Sequence, residues 1–71
     1  MIKKLRKKKK ISQRELSFRL DVSQSYISRL ENYKVNNVNI ELIRNISKEL
    51  EIDPVEVFLF FYKMNNEKIK D

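Results

Sequence analysis

Residues 12–32, SQRELSFRLDVSQSYISRLEN, hold two helix starts and the turn between them. Ser12 stands three residues before Glu15, a capping box whose hydroxyl and carboxylate can satisfy the free amides of a helix start. Leu16 and Leu20, at i and i+4, give that helix its buried side. Asp21, Val22 and Ser23 follow as a short turn, and Ser23 is a second N-cap, so the next helix begins almost at once. Two short helices joined by so tight a turn must cross steeply. On the second, Ile27 and Leu30 lie on one side with Val22 just before them, while Gln24, Ser25, Ser28, Arg29 and Asn32 cluster on the other. A face serving only solubility usually carries Lys/Glu pairs. This one carries amide, hydroxyl and guanidinium groups, the types that read base edges and hold phosphates.

The flanking sequence reads as further helices. IKKLRKKKK has Ile2 and Leu5 at i, i+3 inside a cationic stretch, so a first helix can bury one narrow stripe and leave its lysines in water, with Ile11 pointing back into the core. NIELIRNISKEL has Asn39 as a cap and apolar residues at 40, 43, 46 and 50, the spacing of a fourth amphipathic helix. DPVE places Asp53 as N-cap, Pro54 at the first helical position and Glu56 at the third, a second capping box that opens a fifth helix towards Met64. No run alternates with period two, so the fold class is all-α, five helices in a single domain over residues 1–71. Glycine is absent, which leaves the helix ends without their usual left-handed residue. Asp21, Asn32 and Asn45 can take that conformation, and only the first two lie near predicted turns.

Composition narrows the function. Without Cys there is no disulfide staple and no thiolate metal site, and without His the commonest metal ligand and the usual general base are missing. No nucleophile or acid pair suggests a pocket, so an enzyme is not expected, nor any cofactor or metal. The basic start is not followed by an apolar run and no segment reaches membrane-spanning length, so a cytoplasmic protein is expected. The charge of +6 is uneven: residues 1–34 carry 11 Lys/Arg against 3 Asp/Glu, residues 35–71 carry 5 against 7. A basic half suggests an anionic partner, nucleic acid or a membrane surface, and equally suits a solvated, repulsive face. The first helix has too few large apolar residues for a membrane reading.

Taken together, LR at 5–6, ISQREL at 11–16, VSQSYISRLEN at 22–32 and NVNIELIRNISKEL at 37–50 resemble, in order and spacing, the phage-repressor and Cro-like, XRE-type helix-turn-helix family over residues 2–58. The resemblance implies a compact five-helix repressor-type domain whose second and third helices form the helix-turn-helix. SQSYISRLEN would then be a recognition helix in a DNA major groove. Gln24 and Ser25 fall where the family meets base edges, Arg29 one turn on can bond a guanine bidentately, and Ser28 lies near a base or a phosphate. Gln13 resembles the glutamine that binds a phosphate and braces the recognition helix. Tyr26, Asn32 and Lys34 flank the helix where relatives touch the sugar-phosphate backbone, and Lys9 and Lys10 stand near enough to join them. Arg6 and Glu31 resemble the family's structural pair between the first helix and the end of the third.

The chain departs from that pattern where the family's glycines become Asp21, Tyr33 and Glu51, so the loop at 33–38 is expected to take its own path. Phe18 occupies a position usually polar and exposed. In the fifth helix, expected over 54–64, Val57, Phe58 and Phe61 form a stripe with Pro54 that can close the core. Val55, Leu59, Phe60 and Tyr62 are left over, and the family's use of its last helices implies a dimer interface. The expected function is a sequence-specific regulator of transcription, a repressor bound as a homodimer to a pseudo-palindromic double-stranded operator. The alternative is a protein-interaction module, such as an antitoxin or anti-regulator, using Phe18 and the last helix.

Overall fold

The computed structural model describes residues 1–32, 34–35 and 38–69, with side chains described as far as Lys63. Five helices follow in order: α1 Ile2–Lys8, α2 Gln13–Leu20, α3 Gln24–Glu31, α4 Ile40–Leu50 and α5 Pro54–Ile69. Among the described residues there is no strand, and the fold class is all-α. The chain forms two units, Met1–Val35 with α1 to α3, and Asn36–Asp71 with α4 and α5.

In the first unit α2 packs on α3 and α1 meets α3. The helix starts form as their caps dictate. Ser12 Oγ accepts the amide of Glu15 at 3.0 Å and Ser23 Oγ accepts that of Tyr26 at 3.1 Å. The Glu15 carboxylate, expected to return a bond to the helix start, instead reaches along the helix and accepts from Arg19 Nε at 3.1 Å. Ile2, Leu16, Leu20, Ile27, Leu30 and Val35 are buried, and Ile27 and Leu30 are completely so, which fixes the face α3 turns inward. Leu5 and Ile11 are half-buried.

In the second unit α4 packs on α5. Asn39 caps α4, its Oδ1 accepting the amide of Leu42 at 2.7 Å. Asp53 caps α5 one residue earlier than a capping box requires, its carboxylate accepting the amide of Val55 at 2.8 Å rather than that of Glu56. Ile46, Leu50, Val57 and Phe61 are buried. Ile40, expected on the same face, is 83% exposed, because six and ten residues before Ile46 and Leu50 place it roughly 100° round the helix from them. Phe58, expected in the closing stripe, is exposed, whereas Phe60 is half-buried with its ring 5.1 Å from that of Phe61, edge to face. Each lies beside the buried Val57–Phe61 line, one on either side, so spacing alone does not choose between them. The helix also runs beyond Met64, to Ile69.

Three helix ends share one device. Lys10, Asp21 and Glu51 take the left-handed conformation with φ of 61°, 56° and 53°. The residue after each donates its amide to a carbonyl five positions back: Ile11 to Arg6 at 3.3 Å, Val22 to Ser17 at 3.0 Å and Ile52 to Ser47 at 3.0 Å. These are Schellman-type ends, built without glycine and each followed by a β-branched apolar residue. Asn32, which can take the left-handed conformation, has φ −103° and ψ 17° instead. Asn45 sits inside α4. Tyr33 lies outside the described residues.

Candidate nucleic-acid interface

The helix-turn-helix is α2, the Asp21–Ser23 turn and α3. With Ile27 and Leu30 turned inward, Gln24, Ser25, Arg29 and Asn32 are exposed and Ser28 is half-buried on the outward side of the same helix. The groups on this face are partly ordered. Ser23 Oγ and Ser25 Oγ lie 3.2 Å apart, and Asn32 Nδ2 donates to the Ser28 carbonyl at 2.8 Å, which holds that side chain along the last turn. The Arg29 guanidinium stands over the Tyr26 ring, 5.6 Å from its centroid. Tyr26 is half-buried, and burial raises its phenol above the ordinary value against the smaller opposing effect of the Arg29 charge.

The end of α3 is anchored by a buried polar cluster. Arg6 Nε donates to Glu31 Oε2 at 2.6 Å and Nη2 to Oε1 at 3.3 Å, a two-pronged pair with side chains 9% and 2% exposed. Arg6 Nη1 also donates to the Ile11 carbonyl at 2.9 Å, tying the turn after α1 to the same guanidinium. Gln13, the first residue of α2, donates from Nε2 to Glu31 Oε1 at 2.9 Å. One hydrogen of that amide thus braces α3, and a second remains for another acceptor. Burial alone would push the Glu31 carboxyl up. The bonds from Arg6 and Gln13, with the charges of Arg6 and Lys3, outweigh it and hold the carboxyl below its ordinary value.

Of the expected backbone contacts, Lys10 and Lys34 are exposed and Lys9 is half-buried. Lys10 is placed by its left-handed turn, and the Lys34 amide donates to the Arg29 carbonyl at 2.9 Å. On α5, Val55, Phe58, Leu59 and Tyr62 are exposed at spacings of three, one and three, one face of a helix, and Phe58 stacks on Tyr62 with centroids 6.1 Å apart. This replaces the expected set in one member: Phe58 takes the exposed place given to Phe60. Phe18 is 74% exposed on α2.

Among the described residues no group of His, Cys, Asp or Glu is placed to hold a metal, and no helix is long and apolar enough to cross a membrane. Residues 2–57 match the family model described as Helix-turn-helix, and the chain belongs to the XRE-type helix-turn-helix family. No curated protein and no solved structure matches the chain.

Proposed function

As a member of that family the chain is a DNA-binding regulator, and we propose that it is a sequence-specific repressor, working in the cytoplasm as a homodimer on a pseudo-palindromic operator. The observation that carries this reading is the division of α3. Its apolar residues Ile27 and Leu30 are wholly buried, so the outward face is left to Gln24, Ser25 and Arg29, all exposed, with Ser28 beside them. These groups read base edges in a major groove; Gln13, Asn32, Lys34, Lys9 and Lys10 meet the phosphate backbone around it. The match over 2–57 runs through both structural units, in keeping with one DNA-binding domain.

The α5 stripe supports the dimer. Val55, Phe58, Leu59 and Tyr62 make a continuous apolar face of four exposed large side chains, the kind of patch that marks an interface. Glu56 and Lys63, both exposed and seven residues apart, lie on one flank of that stripe. In an antiparallel pair of helices like flanks meet, so each Glu56 would approach Lys63 of the other copy. On a palindromic operator the two recognition helices must stand roughly 34 Å apart, one duplex turn. The competing reading, an interaction module docking through Phe18 and α5, has the 74% exposure of Phe18 in its favour.

Selection from a random duplex pool decides between them. A repressor enriches a two-fold-related sequence. Arg29→Ala then loses about 1 to 3 kcal/mol on the selected duplex and much less on a scrambled one, relaxing one base pair per half-site. Neutralising α1 lysines weakens both alike and flattens the salt dependence. A pool without enrichment, with only weak salt-sensitive binding, would establish the interaction module instead.

A further inference from the structure

We propose that Tyr26 is a specificity-determining positioning residue: its ring fixes the guanidinium of Arg29 in the orientation from which that arginine reads a base pair. The proposal rests on the reading of α3 as a recognition helix.

Tyr26 and Arg29 stand at i and i+3 on α3, the spacing at which side chains on one helix meet. The guanidinium carbon lies over the ring at 5.6 Å from its centroid, within cation–π range. Their burial differs in the way a platform needs. Tyr26 is half-buried and therefore anchored on one side by the protein, while Arg29 is exposed and reachable from outside. The contact is with an aromatic ring and not with an acceptor oxygen, so it takes up none of the guanidinium's donors in a conventional hydrogen bond. The whole fork thus stays available for a bidentate bond to the O6 and N7 of a guanine. Glu31, two residues further along α3, is engaged by Arg6 and Gln13 and so does not compete for the Arg29 fork. An arginine free in solvent must freeze its rotamers when it docks, and the ring removes part of that cost beforehand.

A phosphate-binding Tyr26 acts through its hydroxyl and strengthens binding to every duplex alike. A platform acts through its ring and only at the base pair Arg29 reads. Wild type, Tyr26→Phe, Tyr26→Leu, Arg29→Ala and the Tyr26→Leu/Arg29→Ala double variant are titrated at fixed salt. The two probes are the selected duplex and the same duplex altered at the base pair that Arg29→Ala relaxes. Thermal melts confirm that each variant is folded, and leucine keeps the apolar packing where alanine would leave a void. The expected result is that Tyr26→Phe binds both duplexes like wild type. Tyr26→Leu should lose about 3- to 10-fold on the selected duplex, the effect of a partly desolvated cation–π contact, and little on the altered one. In the Arg29→Ala background Tyr26→Leu should cost nothing further.

Equal losses for Tyr26→Phe and Tyr26→Leu, or a Tyr26→Leu loss shared by both duplexes, or losses that add in the double variant, would overturn the proposal while leaving α3 as a DNA-reading helix. A wild-type protein that discriminates between no duplexes would overturn it together with the reading it rests on.

Discussion

Replacing Arg6 by methionine removes the guanidinium from the cluster beneath α3 while keeping an apolar chain of similar length. With Arg6 in place the Glu31 side chain is 2% exposed, so its carboxylate depends on protein donors rather than on water. It forfeits the bonds of 2.6 and 3.3 Å from Arg6 and keeps the 2.9 Å bond from Gln13, and the Ile11 carbonyl loses its donor as well. Removing one partner of a buried pair costs about 3 to 5 kcal/mol. The surviving charge-assisted bond from Gln13 brings the expected loss to about 2 to 4 kcal/mol. A chain of this size is stable by roughly 4 to 10 kcal/mol in total, so the variant should unfold at a markedly lower urea concentration. The penalty should also depend on pH. In the wild type the Glu31 carboxyl is held below its ordinary value, and its contribution to stability is present above that value and lost as pH falls through the folded one. Without Arg6 the bond and charge that do most to oppose burial are gone, the carboxyl moves up from its wild-type position, and protonation at low pH relieves part of the cost. Urea unfolding at about pH 7 and about pH 3, on either side of the ordinary carboxylate range, should show a larger penalty at the first than at the second. A midpoint unchanged at neutral pH, or an equal penalty at both, would refute the assignment of Glu31 as a buried carboxylate dependent on Arg6.

Two further outcomes follow from the second unit and the helix ends. Leu59→Glu, placing a charge in the exposed α5 stripe, should convert dimers to monomers in sedimentation and weaken operator binding; wild type that sediments as a monomer at tens of micromolar, free and with DNA, removes the dimer. Lys10→Gly should raise stability by about 1 kcal/mol by relieving a left-handed residue of its Cβ, whereas Lys10→Ala should not, and equal melting temperatures for the two would mean that φ of 61° carries no strain there.

The sequence by itself determined where the helices begin and what α3 displays. N-caps are local: Ser12, Ser23 and Asn39 each bond an amide three residues on, so the residues needed to recognise the start are the residues that make it. The alternation of Ile27 and Leu30 with amides, hydroxyls and Arg29 is likewise contained within two turns. The helix ends were harder to read, because the left-handed conformation went to Lys10 and Glu51, residues with no intrinsic leaning towards it. Their signal lay one residue later, in Ile11, Val22 and Ile52, where an apolar side chain follows each αL residue. The Arg6–Glu31 pair joins residues 25 positions apart, and only its family resemblance suggested it in advance; that Gln13 would complete the cluster through Glu31 was visible only in three dimensions.

Tertiary structure alone decided between Phe58 and Phe60. Both flank the buried Val57–Phe61 line at equal angular distance, so helical periodicity treats them alike, and the choice depends on which side of α5 has something packed on it. The placement of Arg29 over Tyr26 belongs to the same class. Spacing of three permits the contact, but rotamers in the folded chain set it, since the ring must first be held by what half-buries it. Local hydrogen bonding is written in neighbouring residues, whereas the covering of a side chain is a property of elements far apart in sequence, and a linear pattern carries only the first.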